Sequence, residues 1–427
     1  MALDRSVAPP AQAIRQVHFL EAETTRLSNG LPLHMIRSGK QPVVGVEVIF
    51  RNGGVRHEEK NGAAYFTVKM LAEGTAHRDV HNISDTIDSL GAFLQLSPGL
   101  DYSLADLYML SRHVDPLLGI LREMLTEAIF PEDELENFKN IQRQQLRVNE
   151  KKSNILASRH FKATLFGSQH PYGKSLGFSD IDALEREDLL NFFRTRLLHQ
   201  MEIVVSGDVN TEVLQALEKH FGDLPFEQFS PSDKLPSAKG YTEKKVLVKK
   251  PKNLQSSIRL GCQSIDKHHP DFHQLRVLNT VFGGYFGSRL MRNIREEKGL
   301  TYGINSGVIT LAEAGYFIVG TEVKKELTQL AIDEIYREMQ RLQDEPLPES
   351  ELNTVKNYMA GRLLSSVDTP FALAEKFKNI HLYGLTYDFY KNYLNTINSV
   401  DVETLQLMAQ RYLIPENMLE VVIGGYE

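Results

Sequence analysis

Tyr65, Val68 and Lys69 share one face of the segment Gly62–Thr75, at positions i, i+3 and i+4. Two His at i and i+4, with a Glu just before the second, would make such a face a zinc site with its own general base, because that spacing stacks both imidazoles over one helical turn. Here the positions hold a phenol, a hydrocarbon and an ammonium. Losing every ligand forfeits a binding term that runs to roughly 10–16 kcal/mol for structural zinc in small peptides. The expectation is that no metal binds at these residues. Ala63, Phe66, Thr67 and Met70 fall on another face and predict a helix that Gly74 stops.

Other reactive residues offer less. His77 and His81, and His269 and His273, also stand four apart, but neither pair has a Glu at the right offset or a third ligand. With 14 His in 427 residues such pairs are unsurprising. Cys262 is the one cysteine, which excludes an intrachain disulfide framework and a cysteine-built metal site. No Gly-x-Ser-x-Gly elbow occurs. For Lys69, an ammonium that is solvated or satisfied by a carbonyl is favoured over a new nucleophile.

The elements that must position these residues occur twice. In the first half, short strands flank Asn29-Gly30 between Leu27 and Arg37, and a β-branched strand spans Val43 to Phe50. A helix over Asn82–Leu90, strands over Ala92–Leu96 and Tyr102–Ser111, and long helices over Pro116–Ala128 and Asp133–Lys151 follow. Ile155, Phe161 and Leu165 permit another helix, and a helix over Glu187–Leu198 leads to a strand at Met201–Ser206. Pro131-Glu132-x-Glu134-Leu135-x-x-x-Lys139-Asn140 then recurs 217 residues on, from Pro348 to Asn357. Val204-Val205-Ser206-Gly207 is answered by Val421-Val422-Ile423-Gly424 at the same offset, and Ile181 and Leu184 by Ile397 and Val400 at 216. Ordered matches at a nearly constant offset predict a duplicated domain, since the period is too long for a solenoid. The expected domains are 20–225 and 243–427, joined by a Pro- and Ser-rich linker over 226–242. Helices follow strands in runs, so each half should be α+β, a mostly antiparallel sheet flanked by helices.

Composition sets outer limits. With 42% hydrophobic and 24% charged residues the chain is globular rather than disordered. A formal charge of −7 argues against nucleic acid as a partner. No run of 18 apolar residues predicts a membrane-spanning helix, and Met1 to Ala11 lack the apolar core of a signal peptide. A soluble protein of the cytoplasm, or of the periplasm in mature form, is expected.

The frame around Tyr65 resembles the inverted zinc helix of the insulinase, pitrilysin and mitochondrial processing peptidase family. That pattern, Gly-x-Ala-His-x-x-Glu-His-Met before Glu-Gly-Thr, is matched by Gly62, Ala64, Met70 and Glu73-Gly74-Thr75, but not at the three chemical positions. The family's third ligand is a downstream Glu whose nearest counterpart here is Gln144 or Gln145. In the second half, Phe282 to Leu290 and Arg295-Glu296-Glu297-Lys298-Gly299-Leu300-Thr301-Tyr302 look like the family's glycine-bearing loop and its Arg-Glu-x-x-Gly-Leu-x-Tyr motif. The resemblance extends from about Thr24 to the C-terminus and implies two α+β halves forming a clam-shell around a cleft.

It also implies roles. Arg295 and Tyr302 would reach across to a zinc site and hold the substrate backbone and the scissile carbonyl. A phenol can be aimed at a developing oxyanion, and a guanidinium fork can hold a carbonyl. Gly283, Gly284 and Gly287 would contact a peptide, or more blandly supply positive φ in a helix connection, the account slightly favoured. The resulting expectation is a metal-free subunit that binds peptide or unfolded polypeptide and completes the site of a zinc-bearing paralogue, as a heterodimer. A homodimeric peptide binder, and a scaffold like the core subunits of the respiratory cytochrome complex, are the alternatives.

Overall fold

The computed structural model describes residues 14–39, 41–225, 235, 240–250 and 252–424. The linker expected over 226–242 falls largely outside the described residues. Two sheets organise the chain. The first contains β1 (Glu23–Arg26), β2 (Pro32–Arg37), β3 (Val43–Phe50), β4 (Phe93–Ser97), β5 (Ser103–Leu110) and β6 (Met201–Gly207), in the order β1-β2-β6-β3-β5-β4. The second contains β7 (Lys245–Lys249), β8 (Gln255–Ser264), β9 (Ile304–Thr310), β10 (Gly315–Lys324) and β11 (Leu419–Gly424), in the order β7-β11-β8-β10-β9. The second order repeats the first without β1. In each sheet one pair is parallel, β2 with β6 and β7 with β11, and the other pairs are antiparallel.

Local chemistry explains the first hairpin. Asn29 turns the chain by accepting the Leu31 N–H at 3.0 Å, and Gly30 takes φ +92°. Leu27 to Gly30 are consumed in that turn, so the first strand is Glu23–Arg26 rather than a run beginning at Leu27. The long helices Val114–Glu127 and Glu132–Lys151 form near the expected bounds.

The central strands β3, β6 and β11 are buried almost throughout, on both faces. One face of each sheet packs on helices of its own half; the other is covered by a helix from the opposite half. Helix Ser153–Phe166, from the first half, lays Ala157, Phe161 and Leu165 on Leu419, Val421 and Ile423 of β11. Helix Pro370–His381, from the second, lays Leu373, Ala374 and Phe377 on Ile36, Ile49 and Val204. These helices stand 217 residues apart, so the exchange is reciprocal. Pro370 sits where a missing N–H costs nothing, and Thr369 accepts the Ala372 N–H at 3.1 Å.

Polar contacts tie the halves as well. Lys378 forms an ion pair with the fully buried Glu47, Arg56 pairs with Glu313, and Gln263 Nε2 donates to the Leu165 carbonyl at 2.9 Å. Among the described residues no helix is long and apolar enough to cross a membrane.

Candidate functional site

Helix Ala63–Lys69 is held from below by Glu58, whose Oε2 accepts the N–H groups of Gly62 and Ala64 at 3.1 and 3.0 Å. Lys174 closes the cap with a 2.7 Å ion pair to the same carboxylate. The helix ends at Lys69, a turn before Gly74, because the chain must bend to bring Gly74 and Thr75 into bridges with Asp79 and Ala128. Val68, at the position where the family has its base, is fully buried in the core. Tyr65 stacks on Phe138 at 6.2 Å, and its hydroxyl reaches Gln142 Oε1 at 3.5 Å. Burial pushes that phenol above its usual range, with the Gln142 contact pulling the other way. Lys69 Nζ donates to the Leu96 carbonyl of β4 at 2.6 Å.

The residues of this helix do not fit a metal ion. Its three chemical positions are spent on packing, on an amide and on a strand carbonyl. Gln144 and Gln145 are both exposed; Gln145 donates to Asn149 one turn along its own helix at 2.9 Å, and Gln142 is the residue that meets Tyr65.

Gly283, Gly284 and Arg295 lie on two π-helical turns, Thr280–Gly284 and Met291–Glu297, a geometry that recurs at functional sites, while Gly287 and Tyr302 lie outside them. Arg295 pairs with neither Glu296 nor Glu297. Its guanidinium lies over the ring of Phe286 at 4.6 Å, and that ring is 64% exposed. Tyr302 is 95% exposed and makes no hydrogen bond or ring contact among the described residues. Nor, among the described residues, does any hydrogen bond, ion pair or ring contact join Arg295 or Tyr302 to Tyr65 or Lys69.

The glycines have a different reason from positive φ, which none of the three adopts. A Cβ on Gly283 would lie 2.5 Å from Ser306 Oγ and 2.8 Å from its N; one on Gly287 would lie 2.8 Å from the Tyr285 ring. At Gly284 the nearest atoms, on Asn279, would be 3.1 Å away. Close packing of a π-helical turn against β9 therefore favours glycine most strongly at Gly283, where the obstructing atoms include backbone.

One polar constellation had no signal in the sequence. His34 on β2, Glu202 on β6 and His381 at the end of helix Pro370–His381 meet beside a cavity of about 590 Å³. Glu202 Oε2 accepts from His34 Nε2 at 3.2 Å and His381 Nε2 at 2.5 Å, while Oε1 accepts from Arg51 Nε at 2.7 Å. Burial alone would raise the Glu202 carboxyl, but these three donors hold it far below the usual carboxylate range. Burial also keeps His34 below its ordinary value, against the pull of Glu202. The three ligand atoms lie within 4.8 Å of one another, so this is the group among the described residues with metal-ligand proximity. As hydrogen-bonded here, each is engaged: a metal would have to displace the proton on both Nε2 atoms. The trio serves as a partly buried junction between the halves, and sequence separations of 168 and 179 residues hide it from any spacing rule.

Comparison with known proteins settles the family. Residues 35–176 match the family model of the insulinases, peptidase family M16, and residues 183–359 match the model of the peptidase M16 inactive domain. The chain belongs to the M16 peptidase family. Among M16 relatives, an uncharacterised zinc protease YmxG of Bacillus subtilis is 26% identical over 383 residues, 86% of this chain and 90% of the relative. A "Probable mitochondrial-processing peptidase subunit beta" of Arabidopsis thaliana is 22% identical, covering 95% and 80%. The crystal structure of a peptidase M16 inactive domain from Pseudomonas fluorescens superposes with a TM-score of 0.85 at 22% identity, over 96% of this chain and 99% of that one. The M16 fold of two sheets flanked by helices is thus shared across the chain. This M16 member departs from the family's zinc-helix pattern at all three chemical positions, Tyr65, Val68 and Lys69.

Proposed function

We propose that this chain is the metal-free subunit of a two-chain M16 peptidase. It binds a peptide or unfolded polypeptide and presents Arg295 and Tyr302 to the site of a zinc-bearing paralogous subunit. The metal and the general base belong to that partner; this chain holds none at residues 65–69. The observation that carries the reading is the exposure of Tyr302: a large phenol with no hydrogen bond or ring contact among the described residues, seven residues from an arginine held ready on an exposed phenylalanine. A scaffold has no use for such a pair. A hydroxyl aimed at a developing oxyanion is commonly worth about 10²–10³ in rate.

The test is reconstitution. The chain is purified alone and together with the product of an adjacent reading frame, and peptide cleavage is followed in each. Cleavage only by the mixture supports the proposal; stable assembly without cleavage favours a scaffold. In the active mixture, Tyr302→Phe should lower turnover by about 10²–10³ while co-elution of the two chains is unchanged. Turnover equal to that of the parent pair would sink the assignment.

A further inference from the structure

Arg276, Arg362 and Lys376 line a second cavity, of about 340 Å³, formed within the second half together with Asn279, Tyr358 and Tyr393. Among the described residues no Asp or Glu lines it. Arg362 is exposed, and Arg276 and Lys376 are partly buried. Several other cations of this half are matched by carboxylates: Arg289 by Glu351 at 3.2 Å, Lys298 by Glu334 at 2.9 Å and Arg259 by Glu322 at 3.3 Å. Here the three are not. Arg276 lies over the Tyr393 ring at 4.4 Å and, among the described residues, its guanidinium makes no hydrogen bond or ion pair. Arg362 donates to the Tyr358 hydroxyl at 3.3 Å. Lys376 has a ring, that of Tyr390, 5.8 Å away, and its ammonium likewise makes no hydrogen bond or ion pair among the described residues. The adjacent Glu375 is engaged by Lys378 at 2.6 Å.

Three like charges gathered into one concavity repel, and the donors of two guanidinium forks and an ammonium go almost unused. Burial, then Arg276 and Arg362, push the Lys376 ammonium below its usual range, with Glu375 opposing. Planar guanidinium forks match the oxygens of carboxylate and phosphate, and the surrounding tyrosines hold Arg276 by a ring face and Arg362 by a hydroxyl. We infer that this cavity is an oxyanion-binding site, in which Arg276, Arg362 and Lys376 together hold a single carboxylate or phosphate group. The inference stands apart from any role of Arg295 and Tyr302.

The experiment uses the full chain in chloride-poor buffer free of other oxyanions, with calorimetric titration of inorganic phosphate, succinate, and a short peptide bearing a free or an amidated C-terminus. Saturable binding that weakens as salt is added is expected for at least one oxyanion. Phosphate alone would identify a phosphate source. Succinate and the free-acid peptide, but not the amide, would identify a carboxylate. Arg362→Gln and Lys376→Gln should each weaken that binding by about tenfold or more. Without ligand, Lys376→Gln should raise the melting temperature by roughly 1 °C, because it relieves repulsion that only an anion otherwise offsets. Absence of saturable binding, binding untouched by both substitutions, or a lowered melting temperature in Lys376→Gln would overturn the site.

Discussion

Lys69 shows how a lost metal site is made good. An ammonium tethered to a strand carbonyl at 2.6 Å, a stacked phenol and a buried valine fill the space that ligands would occupy. Reintroducing a carboxylate at the base position is therefore costly: Val68→Glu should destabilise the chain by about 3–5 kcal/mol, read as a fall in the urea midpoint, because the charge would be buried without a partner. Histidines set the acid limit. Burial, reinforced by Arg276, lowers His273 from 6.5 to about 4, with its ring against Phe389 at 4.6 Å. His34 is lowered by burial, and Glu202 lies below its usual value of 4.5. In each case the unfolded chain takes up the proton first. The stability from His273 is complete above pH 6.5 and lost as pH falls toward about 4; that from Glu202 is complete above about 4.5 and lost below it. The His273 gap corresponds to at most about 3 kcal/mol. The melting temperature should drop between pH 7 and pH 5, and His273→Phe should flatten that drop. The frame of the zinc helix was legible because ligand spacing is local. That Tyr302 stands bare, or that Gln142 and not Gln145 meets Tyr65, depends on neighbours far along the chain.

At the scale of elements, the exchanged helices matter most. Phe161 is fully buried between β11 and the second sheet's Tyr316, whose ring lies 6.1 Å away. Phe161→Ala should cost about 3–5 kcal/mol in chemical denaturation, the usual loss for a large aromatic in a core that cannot collapse. A loss below about 1 kcal/mol would mean that the helix contributes little to the second sheet. Hydrophobic periodicity permitted a helix here, which forms over Ser153–Phe166, but could not assign its partner. An apolar face shows that a helix is covered, while the covering surface is chosen by topology. The same limit explains the first strand, where turn chemistry at Asn29 and Gly30 consumed residues that alternate like a strand.

For the whole molecule, each sheet depends on a helix from the other half, and the junction is reinforced by Glu202 with His34 and His381 and by the Glu47–Lys378 ion pair. Neither half could bury both faces of its central strands alone. Calorimetry should show one cooperative unfolding transition, with Glu202→Ala lowering its temperature without splitting it; two resolved transitions would refute the coupling. The repeat, the α+β character of each half and the loss of metal ligands were determined by sequence, because each rests on residues close together or on a pattern repeated at a fixed offset. The reciprocal helix exchange, the His34, Glu202 and His381 trio and the cation-lined cavity were decided by tertiary structure alone. They bring together residues from distant segments, and such encounters are set by which surfaces the folded sheets leave to be covered.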